Sequence, residues 1–165
     1  LVAGEYHYHG ILYIGLIMTA AGPKVIEYNV RLGDPETQVI LPRLTTDLFE
    51  LVDRALNDQP LPAVVESAQA SFGVVIAAKG YPQKPIHGQP LGRLPLVEGI
   101  NVDYANVAGR LNNLRGNGGR LLMVETLAPT LQKARDRVYN YLAGLDEPEC
   151  FYRHDIGAKA GLTQS

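Results

Sequence analysis

Glu27, Asn29 and Arg31 stand at alternate positions in Val25-Ile26-Glu27-Tyr28-Asn29-Val30-Arg31. On a strand, such positions lie ~6 to 7 Å apart and project from one face, so their tips can converge. A carboxylate and a carboxamide oxygen are hard ligands suited to Mg²⁺, which takes few protein oxygens and keeps sites for water and phosphate. Arg31, one step further, could grip a phosphoryl or carboxylate oxygen in bidentate fashion. The same spacing also describes a solvated strand face, and spacing alone does not choose between the two.

Other residues offer less. His7 and His9 could share a strand face, but two ligands make a poor metal site, and surface or partly packed histidines are the expectation. Asn117-Gly118-Gly119 could cradle a phosphate; a hairpin turn feeding a strand from Arg120 explains the same residues and is preferred. Cys150 has no activating partner in sequence and reads as a buried or incidental thiol.

The elements that position these residues begin with a hairpin. Ile11 to Met18 and Lys24 to Arg31 are apolar or alternating runs joined by Thr19-Ala20-Ala21-Gly22-Pro23. The first arm is apolar at both parities, which predicts a central strand covered on both faces. The second alternates, which predicts Ile26 and Tyr28 packed and Glu27, Asn29 and Arg31 together on the opposite side. In Gly33-Asp34-Pro35-Glu36, Asp34 can cap and Pro35 can take the first position of a short helix running to Leu41. Asp47 to Asn57 has helical apolar spacing, and Gln59-Pro60-Leu61-Pro62 reads as a connector, giving units of 1–60 and 61–165. Beyond it, Phe72 to Ala78, Leu96 to Val102, Asn106 to Leu111 and Arg120 to Leu127 read as strands, and Pro129 to Leu145 as a long helix with a stripe of Leu131, Ala134, Val138, Leu142 and Leu145. The class is α+β.

Bulk properties narrow the partners. With 17 acidic and 15 basic residues the formal charge is −2, which lacks the basic field that nucleic-acid binding requires. The longest apolar run stops at Gly22-Pro23, short of the ~20 residues needed to span a bilayer, so no membrane helix is expected. One cysteine cannot close an internal disulfide, and a cytoplasmic location is the default.

Glu27-Tyr28-Asn29-Val30-Arg31 has the Glu-x-Asn-x-Arg form of ATP-grasp ligases. Its continuation through Leu32-Gly33-Asp34-Pro35-Glu36-Thr37-Gln38 resembles the signature of the glycinamide ribonucleotide synthetase family. Gly10 to Leu16, Ala78-Lys79-Gly80-Tyr81-Pro82, Gly118 to Leu122 and Tyr152 to Gly157 resemble further landmarks in the same order. The resemblance implies the C-terminal end of an ATP-grasp module, hairpin plus helices, followed by a small mainly β domain with a long helix. It also implies a reaction joining phosphoribosylamine to glycine with ATP through a glycyl phosphate, in purine biosynthesis. Glu27 and Asn29 would then hold Mg²⁺ (or Mn²⁺), Arg31 would be catalytic, and Asp34 and Glu36 would bind substrate or order the helix start. Leu32 replaces a usual Phe, and Tyr104-Ala105-Asn106-Val107 stands where the family has His-Ala-Gly-Thr. The family's amine-binding domain and nucleotide-covering half would precede Leu1, so this chain is expected to be inactive alone. An ATP-grasp ligase of the biotin carboxylase kind shares only the short motif, and Arg31 to Gln38 argues against it. A non-catalytic assembly module is the rival from another class.

Overall fold

The computed structural model describes residues 8–110, 113–146 and 148–161. The chain divides into two compact units, residues 1–37 with 44–67, and residues 38–43 with 68–165. Sequence reading places the division near residue 60. Here Gln59 to Pro62 lie within the first unit, because the segment beyond them returns to it: Thr45 N donates to Val65 O at 2.9 Å, and Leu44 bridges Glu66.

The first unit contains the antiparallel hairpin of β1 (Tyr13–Thr19) and β2 (Gly22–Asn29), joined by a tight turn in which the Ala21 amide donates to Thr19 Oγ1. A bulge between Gly15 and Leu16 leaves Ile26 as the extra residue of β2, since Gly15 pairs with Glu27 and Leu16 with Val25. Beyond the bulge Tyr13 faces Asn29 and Gly15 faces Glu27. The expectation of a covered, central first arm fails. Leu16, Ile17 and Met18 are exposed, as are Ile26 and Tyr28 at 65% each. Apolar patterning predicts burial only where a layer exists to receive it, and β1 and β2 form a two-stranded sheet among the described residues.

The turn after β2 also differs from expectation. Residues 34–36 form a turn with a cis Asp34–Pro35 peptide, and α1 (Thr37–Ile40) starts after it, so Pro35 is not the first helical residue. The carbonyl of buried Gly33 instead accepts from the Thr37 amide and hydroxyl. A 3-10 turn (Leu41–Arg43) follows at Pro42. Helix α2 (Leu48–Leu56) matches its reading closely: Asp47 caps it by accepting from the Phe49 amide at 2.8 Å, and Asn57 ends it.

The second unit is a four-stranded antiparallel sheet of β3 (Ala70–Ala78), β4 (Asn101–Tyr104), β7 (Arg120–Ala128) and β8 (Cys150–Tyr152), in the order β4-β7-β3-β8. A separate hairpin holds β5 (Val107–Arg110) and β6 (Asn113–Gly116). Helix α3 (Leu131–Ala143) packs on β3 and β7 through Ala134, Val138 and Leu142, against Phe72, Val74, Ile76, Leu122 and Val124. Thr130 caps its start, accepting from the Lys133 amide. The strand read at Leu96 to Val102 is displaced to Asn101–Tyr104: pairing with β7 begins at Asn101 opposite Glu125, and a turn at Gly99 (φ 72°) separates it from a fully exposed Leu96.

Asn117-Gly118-Gly119 is a turn of positive-φ glycines, but it joins β6 to β7 across two sheets and is not a hairpin. Asn106, at the departure from His-Ala-Gly-Thr, braces it. Its carboxamide donates to the carbonyls of Asn117 (3.0 Å) and Gly118 (2.7 Å). Cys150 is half-buried at the start of β8.

Candidate functional site

The site is built by the end of the hairpin and the turn that follows. Glu27 and Asn29 share a face of β2, and the Asn29 carboxamide donates to Glu27 Oε1 at 3.0 Å. Across from Glu27, Gly15 carries no side chain; a Cβ there would stand 3.2 Å from Glu27 Cγ, so the glycine leaves the room that the carboxylate's stem uses. Among the described residues no group of three or more His, Cys, Asp or Glu is gathered, so any cation here would draw most of its ligands from elsewhere. His7 lies outside the described residues, and His9 Nε2 meets Asp58 Oδ1 at 2.8 Å.

Arg31 is not the third residue of the strand face. Pairing ends at Tyr13 opposite Asn29, and the chain bends at Val30 and Arg31. The guanidinium donates from Nη1 to Leu32 O at 2.8 Å. Its charge is nonetheless felt in the site, where it favours ionisation of the Tyr13 phenol.

Tyr13 is the residue that sequence reading missed. Its hydroxyl donates to Glu36 Oε1 at 3.0 Å, and that bond is the main reason its pKa is raised. Partial desolvation and the negative charges of Glu36 and Glu27 push the same way, against Arg31. The phenol thus senses Glu27, Arg31 and Glu36 together. Gly33 is packed beneath it: a Cβ there would fall 2.7 Å from Glu36 Oε2 and 3.3 Å from the Tyr13 ring. Asp34 is exposed on the turn. Hairpin register was the available signal, because the residue opposite Asn29 must share its face.

Glu27 and Asn29 thus share one strand face, with Glu36 held by Tyr13 on the adjoining turn. The model of the phosphoribosylglycinamide synthetase C domain matches residues 71–159, more than half of the chain. The chain belongs to the phosphoribosylglycinamide synthetase family. The model of that family's ATP-grasp (A) domain matches residues 1–37, the stretch holding Glu27, Asn29, Arg31, Asp34 and Glu36. The phosphoribosylamine–glycine ligase of Halalkalibacterium halodurans is 45% identical over 161 residues, covering 97% of this chain and 37% of the relative. The crystal structure of the Thermotoga maritima phosphoribosylamine–glycine ligase superposes with a TM-score of 0.74 at 33% identity, over 87% of this chain and 36% of that one. The biotin carboxylase domain of Hydrogenobacter thermophilus 2-oxoglutarate carboxylase, solved with MgADP, shares the fold alone: 18% identity and a TM-score of 0.62, over 84% of this chain and 32% of that one. This synthetase-family chain therefore spans about 37% of the length of the curated relatives it matches. No helix among the described residues is long and apolar enough to cross a membrane.

Proposed function

We propose that this chain is the metal-bearing end of the ATP-grasp module and the C-terminal domain of a phosphoribosylamine–glycine ligase. The full-length protein joins phosphoribosylamine to glycine, giving glycinamide ribonucleotide, ADP and phosphate. The observation that carries this reading is the Glu27–Asn29 pair, hydrogen-bonded on one strand face within the stretch matched by the family's ATP-grasp model.

The donor set fits a hard divalent cation. Glu27 offers a carboxylate, and a half-turn of the Asn29 carboxamide exchanges its donating nitrogen for an accepting oxygen. Two such ligands suit Mg²⁺ or Mn²⁺, with water and ATP phosphates completing the shell. When bound, the metal would supply charge neutralisation on the phosphates. A glycine carboxylate oxygen forms a bond to the γ-phosphorus as the bond to ADP breaks. The amine of phosphoribosylamine then attacks the acyl carbon, loses a proton, and phosphate leaves. Little of this needs covalent help from protein, so catalysis rests on alignment and charge. Arg31 serves the second need near the transferred phosphoryl group. Asp34 and Glu36, on the adjoining turn, serve substrate ammonium or amine groups. A cytoplasmic location fits a reaction supplied by ATP.

The test is ADP release by a full-length ligase carrying this segment, with ATP, Mg²⁺, glycine and phosphoribosylamine. Turnover that needs all four supports the reading. Turnover indifferent to glycine, or dependent on bicarbonate instead, would reject it in favour of a biotin carboxylase-type ligase.

A further inference from the structure

Within the ligase reading, on which this inference rests, Glu36 is the carboxylate of the turn that is tied to the hairpin by the Tyr13 hydroxyl. We propose that Tyr13 is a positioning residue whose hydroxyl holds Glu36 so that the carboxylate's second oxygen anchors the ammonium group of glycine.

Three features of the hairpin and turn support this. Tyr13 lies directly opposite Asn29, so its ring rises from the same face as the Glu27–Asn29 pair. Its hydroxyl reaches off that face to Glu36 Oε1. Glu36 Oε2, the oxygen not bound by Tyr13, lies over Gly33 at a spot where any side chain would collide with it. A rigid phenol therefore ties a carboxylate of the turn to the strand that bears the metal ligands.

The chemistry selects glycine. The ammonium and carboxylate of an α-amino acid are separated by one carbon, so an anchor for the ammonium must stand close to where the carboxylate meets the γ-phosphoryl group. Of the two amines in the reaction, that of phosphoribosylamine must offer its lone pair, and a carboxylate partner would favour its protonated, unreactive form. The ammonium of glycine does not react, and a carboxylate partner suits it.

The experiment compares Tyr13→Phe, Glu36→Gln and the double variant in a full-length ligase carrying this segment. Tyr13→Phe should raise KM for glycine about tenfold, the usual size of effect when one hydrogen bond to a charged group is lost. KM for ATP, KM for phosphoribosylamine and the Mg²⁺ dependence should stay unchanged, with kcat at saturating glycine changed by less than about threefold. The double variant should be no worse than Glu36→Gln alone, because Tyr13 acts through Glu36. An unchanged KM for glycine, a rise in KM for phosphoribosylamine instead, or additive losses in the double variant would overturn the proposal while leaving the ligase reading intact. If Tyr13→Phe lowers the melting temperature, Glu36→Gln alone decides: an unchanged KM for glycine in that variant overturns the proposal. A wild-type ligase without glycine-dependent turnover would instead defeat the reading itself.

Discussion

Replacing Glu125 by Gln should stabilise the second unit at neutral pH and flatten its pH response. Glu125 is 2% exposed in β7, with Asn101 donating to Oε1 at 2.6 Å and Oε2 buried without a partner. Burial pushes its carboxyl pKa above the usual range, and the negative charge of Asp103 adds to the rise, while the Asn101 bond opposes it. The folded state therefore keeps a proton that the unfolded chain has already lost. Its favourable contribution is complete below the unfolded pKa, near 4.5, and is lost as pH rises through the raised folded value. An unsatisfied buried charged oxygen costs upwards of about 1–3 kcal/mol, whereas a carboxamide keeps the Asn101 bond and carries no charge. The net gain for Glu125→Gln should be about 1–2 kcal/mol above that range, or roughly 5–9 °C in Tm for a unit of this size. Thermal unfolding of wild type and variant from pH 4 to 8 measures it. The two Tm curves should converge at the acid end and separate as pH rises, with some slope remaining because burial also raises the Asp103 pKa. Parallel curves, or a variant less stable at pH 8, would refute the assignment of Glu125 as a buried, poorly satisfied carboxylate.

Three further outcomes follow from single contacts. Leu142→Ala removes a side chain that is 1% exposed under α3 and should cost about 2–5 kcal/mol in denaturant unfolding. Thr130→Ala removes the cap bond to the Lys133 amide and should cost about 1 kcal/mol by the same measurement. Gly33→Ala puts a methyl 2.7 Å from Glu36 Oε2, so in a full-length ligase KM for glycine should rise several-fold with little change in Tm; an unchanged KM would show that Glu36 has room to spare.

Much of the second unit was legible in the sequence because its elements bury their own pattern. Phe72 to Ala78 alternates against α3, and the stripe of Ala134, Val138 and Leu142 points into that core. In the first unit the same kind of pattern marks element type but not burial. Leu16, Ile26 and Tyr28 read as packed and are exposed, since apolar periodicity reports what a residue is suited to contact and not whether the contact is present. Within the site, Glu27 and Asn29 were legible because a two-residue period fixes a shared face. Arg31 was misplaced by that rule, which holds only while the strand is paired, and pairing stops at Asn29. Tyr13 and the space over Gly33 depend on cross-strand register and on a turn whose shape no periodicity encodes.

In the proposed ligase, Glu27 and Asn29 would hold the divalent cation that neutralises charge on the ATP phosphates. In a full-length ligase carrying this segment, Glu27→Gln keeps size and shape but removes the charge, so stabilisation should be lost mainly in the transition state. Initial rates across a Mg²⁺ titration measure this directly. The prediction is a fall in kcat of ~10² to 10³, only partly recovered at high Mg²⁺, with Tm nearly unchanged because an exposed strand substitution usually stays within about 0.5 kcal/mol. Near-normal turnover of Glu27→Gln at limiting Mg²⁺ would contradict the claim and leave Glu27 a solvated strand residue.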